Sequence, residues 1–173
     1  MANSSNGPLT EKQRDTVFAV GFYHVTWSVT ESLVEYAIAK LLGLGPIEGS
    51  IVTAGQMFAS RAKTLEALLL RENSGNKTAL KYLRQIMKSP DRVDLTHSIV
   101  GLHDDGLYFR RRKVEGGFRS ADIPYDWRSL LTKAQNLSKL ASSLQDALGI
   151  QDSELQEFFR AAHEAVAKDQ KSP

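Results

Sequence analysis

The chain has 173 residues, 22 Lys and Arg against 20 Asp and Glu, a net charge of +2, 42% hydrophobic residues and no cysteine. Such a length and composition predict one globular domain with a core large enough to need no staples. The missing cysteines exclude disulfides, thiolate metal sites and a cysteine nucleophile, and point to the cytoplasm. No apolar run approaches the roughly 18 residues of a membrane span, and the near-balanced charge excludes a bulk electrostatic nucleic-acid binder.

Residues 1–9 read as a disordered leader, residues 10–167 as one helical domain, and residues 168–173 as a frayed tail. Thr10 followed by Gln13 predicts a capping box opening a long helix. One apolar line on it runs Phe18, Phe22, Val25, Val29, Leu33, Tyr36. A second runs Val17, Val20, His24, Trp27, Val34, Ile38, Leu41. Two lines predict a helix buried on more than one side. From Thr10 to Leu42 it would be about 50 Å long, so a kink near Gly21 or a protruding end is expected. Gly43 to Pro46 ends it.

A second helix is expected from Glu48 to Glu72, with Ile51, Gly55, Phe58, Ala62, Leu65 and Leu69 on one face. After a loop at residues 73–76, a shorter helix turns Leu80, Leu83 and Met87 inward. Ser89 and Pro90 then cap and open a new helix, aided by Asp91 at the positive end of its dipole. That stretch runs to the turn signal Asp104-Asp105-Gly106. Leu107 to Val114 and Phe118 to Ile123 read as a hairpin turned at Gly116-Gly117 and closed by Pro124. Asp126 caps a helix with the stripe Leu130, Ala134, Leu137, Leu140 or Ala141, Leu144, ending at Gly149. A last helix from Asp152-Ser153 presents Leu155, Phe158, Phe159, Ala162 and Val166. The sum is an all-α fold, a bundle of five to six helices with a small β-hairpin insertion after the fourth helix.

Chemistry concentrates in the first turns after Pro90, where Arg92, Asp94 and His97 combine a fixed cation, a carboxylate and an imidazole. An arginine followed by a histidine at this spacing arises roughly once by chance in such a composition, so context decides its meaning. On a helix Arg92 and His97 would lie about 140° apart, and convergence is easiest if a second protomer completes the site. Arg92 as a surface ion-pair partner and His97 as a half-buried packing residue is the competing structural reading.

Just downstream, Arg110, Arg111, Arg112 and Lys113 form the densest positive run, beside Tyr108 and Phe109. Cations among aromatics suit a single-stranded nucleic acid, charge to phosphates and rings to bases. In a strand, Arg110 and Arg112 would share one face and Arg111 and Lys113 the other. The alternative is a solvated edge strand guarded by charge against aggregation. His24 reads as a core histidine, His103 with Asp104 and Asp105 as a turn rather than a metal site, His163 as surface, and Trp27 and Trp127 as packing anchors. No motif asks for a cofactor or a metal.

Arg92-Val-Asp-Leu-Thr-His97, followed by Ser-Ile-Val-Gly-Leu, resembles the signature of the HEPN superfamily. Members are helical bundles, bacterial ones among them, with Arg, four to six residues, then His at the start of a late helix. The resemblance covers roughly Thr10 to Leu148. It implies metal-independent endoribonuclease chemistry in a homodimeric cleft, with Arg92 and His97 as the catalytic pair and Asp94 orienting the imidazole. It implies RNA as partner, and their position directly after the motif would put Tyr108 and Arg110 to Lys113 at the rim of the site. Many members place Asn, Asp or His directly after the arginine, where this chain has Val93. That departure supports the alternative, a non-catalytic module binding RNA, a nucleotide or a regulatory protein partner.

Overall fold

The computed structural model describes residues 8–71, 76–89, 99–103, 106–114 and 118–169. Helices dominate, and the helical bundle expected from periodicity is present. Among the described residues there are six helices: α1 (Glu11–Leu42), α2 (Pro46–Thr53), α3 (Phe58–Arg71), α4 (Lys77–Met87), α5 (Trp127–Ala147) and α6 (Asp152–Asp169). Three strands lie between α4 and α5: β1 (Ile99–His103), β2 (Gly106–Val114) and β3 (Phe118–Tyr125). The chain divides into two compact units, Met1–Thr26 with Pro90–Asn136, and Trp27–Ser89 with Leu137–Pro173.

The first unit contains the opening of α1, the strands and the start of α5. The helix entrance forms as expected. Thr10 N donates to Gln13 Oε1 at 2.9 Å, and Gln13 N donates to Thr10 Oγ1 at 3.2 Å, satisfying two backbone donors that a helix start leaves open. The buried face is not the expected one. Phe18 and Val25 are 64% and 61% exposed, whereas Thr16, Ala19, Tyr23 and Thr26 are buried. Threonines can take this face because their hydroxyls are satisfied within the helix. Thr16 Oγ1 donates to Lys12 O and Thr26 Oγ1 to Phe22 O, both at 2.8 Å, leaving the methyl groups free to pack. The helix also runs through Gly21 without interruption.

The strands form an antiparallel sheet in the order β1-β2-β3. Ile99 pairs with Arg110 and His103 with Gly106; Leu107 pairs with Tyr125 and Val114 with Phe118. Two corrections follow. Ile99 to His103 is strand where a helix was expected, because Ile-Val-Gly-Leu suits either structure and its neighbours decide. And β2 is the middle strand, paired on both sides over Gly106 to Arg110 and with β3 alone beyond, so the edge-strand reading fails for its first half. Asp126 caps α5 as expected, its Oδ2 accepting from Ser129 N at 3.0 Å. Leu130 and Ala134 are buried, as the stripe predicted.

In the second unit the rest of α1 buries Trp27, Leu33, Val34, Ala37 and Ile38. It ends at Gly43 (φ 66°), where Gly43 N bonds Lys40 O and Leu44 N bonds Ala39 O at 2.9 Å. This paired closure needs a left-handed residue, which glycine supplies without strain. The expected single helix from Glu48 to Glu72 is two. Gly55 takes φ 71° and stops α2, and the chain restarts at Phe58. Gln56 Nε2 bonds Val52 O at 2.6 Å, closing the broken end. Consequently Ile51 is 69% exposed rather than inward. On α4 the buried residues are Ala79, Leu83 and Ile86, not Leu80 and Met87, a rotation by one position.

Helix α2 lies against α6 through Gly49. A Cβ there would meet Ala39 Cβ at 2.7 Å and Phe158 Cζ at 2.8 Å, so only glycine admits the contact. Phe158 stacks edge-on to Tyr36 with centroids 5.1 Å apart, while Leu155, Phe159 and Ala162 are half-buried rather than core. On α5, Leu137, Ala141 and Leu144 are buried, deciding for Ala141 over Leu140.

Candidate functional site

Arg92, Asp94 and His97 lie outside the described residues. What brackets them in the chain is described. Helix α4 ends at Met87, with Lys88 N bonded to Arg84 O at 3.3 Å, and β1 begins at Ile99. The backbone of Arg110, Arg111, Arg112 and Lys113 runs in β2, opposite Asp122, Ala121, Ser120 and Arg119 of β3. Tyr108, opposite Gly101 and Pro124, is half-buried and engaged with neighbours. At the start of α5, in the same unit, the Arg128 guanidinium lies 4.8 Å from the centroid of the Trp127 ring, within cation–π range.

The remaining candidates separate cleanly. His24 is exposed, not a core histidine, and meets the Tyr23 ring edge-on at 6.3 Å. Its side of α1 turned outward together with Phe18 and Val25. His163 is exposed, as expected. Trp27 is 3% exposed and packs edge-on to Phe58 at 5.2 Å, the anchor role expected of it. Trp127 is only half-buried. Among the described residues no group of three His, Cys, Asp or Glu could hold a metal, and no helix is long and apolar enough to cross a membrane.

The second unit holds two charge arrangements that were not singled out from sequence. Arg61 on α3 reaches two carboxylates of α1, with Nη2 2.8 Å from Glu31 Oε2 and Nη1 3.2 Å from Glu35 Oε2. All three side chains are at least half-buried, and one guanidinium bridging two carboxylates of the neighbouring helix makes this a helix-to-helix clamp. Their spacing on α1, four residues apart, was visible; the partner was not.

The other arrangement lies on α4, where Lys77, Lys81, Arg84 and Lys88 recur every three to four residues. With Leu80 and Gln85 they line a depression of about 410 Å³. The signal that could have found them is the absence of any acidic residue between Lys77 and Lys88. Compared with family models, curated proteins and solved structures, the chain matches none.

Proposed function

We propose that this is a HEPN-like helical protein that acts on RNA as a homodimer, cleaving it without a metal. One observation carries the reading. The Arg92-x4-His97 motif is separated by a single residue from a sheet whose middle strand carries four consecutive cations, Arg110 to Lys113. In this reading His97 removes the proton of a ribose 2′-hydroxyl. The 2′-oxygen then attacks the adjacent phosphorus, the bond to the 5′-oxygen breaks, and that oxygen takes up a proton. An imidazole titrating near neutrality suits both transfers. Arg92 grips the phosphate through its planar fork and stabilises the added charge. Asp94 orients the His97 ring. Tyr108 and the cations of β2, in a hairpin following the motif, hold the strand by stacking and charge.

Arg92 and His97, five positions apart, converge most easily across two protomers. The apolar residues that α1 leaves exposed, Phe18 and Val25, are the surface such a dimer would bury. Val93 favours a second reading, the same fold as a non-catalytic RNA-binding module of the cytoplasm, silenced or guided by a protein partner.

Incubating structured and unstructured RNA with the protein in EDTA tests this, beside His97→Ala and Arg92→Ala. The expected outcome is cleavage that vanishes in both variants. Undiminished cleavage by either would remove the catalytic pair. RNA binding without cleavage, lost when Arg110 to Lys113 are neutralised, would establish the second reading instead.

A further inference from the structure

The geometry of α4 points to a second, separate binding surface, a track for the phosphodiester backbone of a single RNA strand. Lys77, Lys81, Arg84 and Lys88 fall at intervals of four, three and four residues. On a helix these positions occupy a sector of about 60° and span about 16 Å. Ala79, Leu83 and Ile86, all buried, lie on the opposite side. The helix is therefore held from one side and presents an unbroken row of cations on the other. Lys77, Lys81 and Lys88 are exposed. Arg84 is the member with a counter-charge, its Nε 2.6 Å from Glu66 Oε1, and its side chain is still 51% exposed.

Concentrating like charge on one helix face costs stability, since cations at i,i+4 repel. Here the repulsion is not relieved by acids of the same helix, because none is present from Lys77 to Lys88. A polyanion laid along the row would relieve it. The surface is a shallow, open depression along the helix, and Gln85 adds amide donors and an acceptor beside the cations.

One feature favours a nucleic-acid strand over a membrane. The lining residue with an apolar side chain, Leu80, is half-buried, so the row has no exposed apolar group to insert into lipid. The inference rests on the reading that the chain acts on RNA, and it assigns a distinct part of the molecule to holding it.

The test uses the full chain and a fluorescent oligouridylate, with binding followed by anisotropy across a range of salt. The triple variant Lys77→Gln, Lys81→Gln, Lys88→Gln keeps good helix formers at each position and leaves the Arg84–Glu66 pair intact. It is expected to melt like the parent and to bind about tenfold or more weakly. Its slope of log affinity against log salt should fall by about 2, roughly 0.7 for each lost phosphate contact to a single strand. An unchanged slope and affinity would overturn the inference. So would phosphatidylserine vesicles binding through these lysines in preference to the oligonucleotide. A parallel variant with Arg110→Gln and Arg112→Gln separates the two claims. If it loses binding while the α4 variant does not, the α4 track fails and the RNA reading stands. If the parent binds no RNA at all, both fail.

Discussion

Both halves of α1 carry large apolar side chains, and they place them differently. In the first half Phe18 and Val25 are 64% and 61% exposed; in the second, Leu33, Val34 and Ile38 are no more than 1% exposed. The first half buries Thr16, Ala19, Tyr23 and Thr26 instead. The lesson is that a helix face is chosen by what its neighbours can accept, not by which stripe is most apolar. Small residues and self-satisfied threonines allow close approach, while large side chains at Phe18 and Val25 are left for another surface. A stacked pair of rings, Phe18 on Phe22 at 6.1 Å, occupies that outward face.

The contrast can be broken most forcefully by truncating one residue in each half. Leu33→Ala should cost about 3 kcal/mol, the transfer term plus a cavity that its packed neighbours cannot close. Phe18→Ala should stay within about 0.5 kcal/mol, because little is uncovered in the folded protomer. Urea unfolding of both variants decides the matter. If the proposed dimer exists, Phe18→Ala should shift it toward monomer in analytical ultracentrifugation while leaving protomer stability alone. Equal losses for the two substitutions would mean that the halves are packed alike.

The second half can be tested next from the helix that covers it. Gly49→Ala puts a methyl group where Ala39 Cβ and Phe158 Cζ stand at 2.7 and 2.8 Å. A loss of about 2 kcal/mol is expected, from strain rather than from any missing contact. Pairing it with Phe158→Leu, which withdraws the ring, should recover part of the loss.

The smallest effect concerns the end of α1. Glu154 is held below its ordinary carboxylate value, first by the hydrogen bond from Gln151 N and then by Lys40. A carboxylate depressed in the folded state contributes stability above its unfolded value of about 4.5, and loses it as pH falls through the folded value. Glu154→Gln should therefore lower stability slightly near neutrality and flatten the acid limb, so that the two proteins converge as the pH falls through the folded value. An acid limb identical in both proteins would show that the pair does not couple to folding.

Local signals were the ones legible in sequence. The Thr10–Gln13 box, the Asp126 cap and the stops at Gly43 and Gly149 each involve residues within a few positions of one another. The α5 stripe was legible because all of its members are aliphatic. Where the reading failed, the apolar pattern alone could not choose between structures. Ile99 to His103 is strand because β2 offers it a ladder, and α2 ends at Gly55 because a left-handed turn there redirects the chain. The basic row on α4 was present in the sequence but hidden among its apolar positions. Of the site, the Arg110 to Lys113 run was expected as strand and has strand backbone, whereas Arg92, Asp94 and His97 lie outside the described residues and rest on their chemistry and spacing.

The slot at Gly49 has a consequence for how the protein is made. Its walls come from Ala39 and Phe158, and the nearby Lys40–Glu154 pair joins residues 114 positions apart. A nascent chain therefore exhibits the Tyr36 and Gly49 surfaces without their cover until α6 has been synthesised. At ordinary translation rates of about 5–20 residues per second, that interval lasts several seconds or more. The second unit is thus a late-closing one.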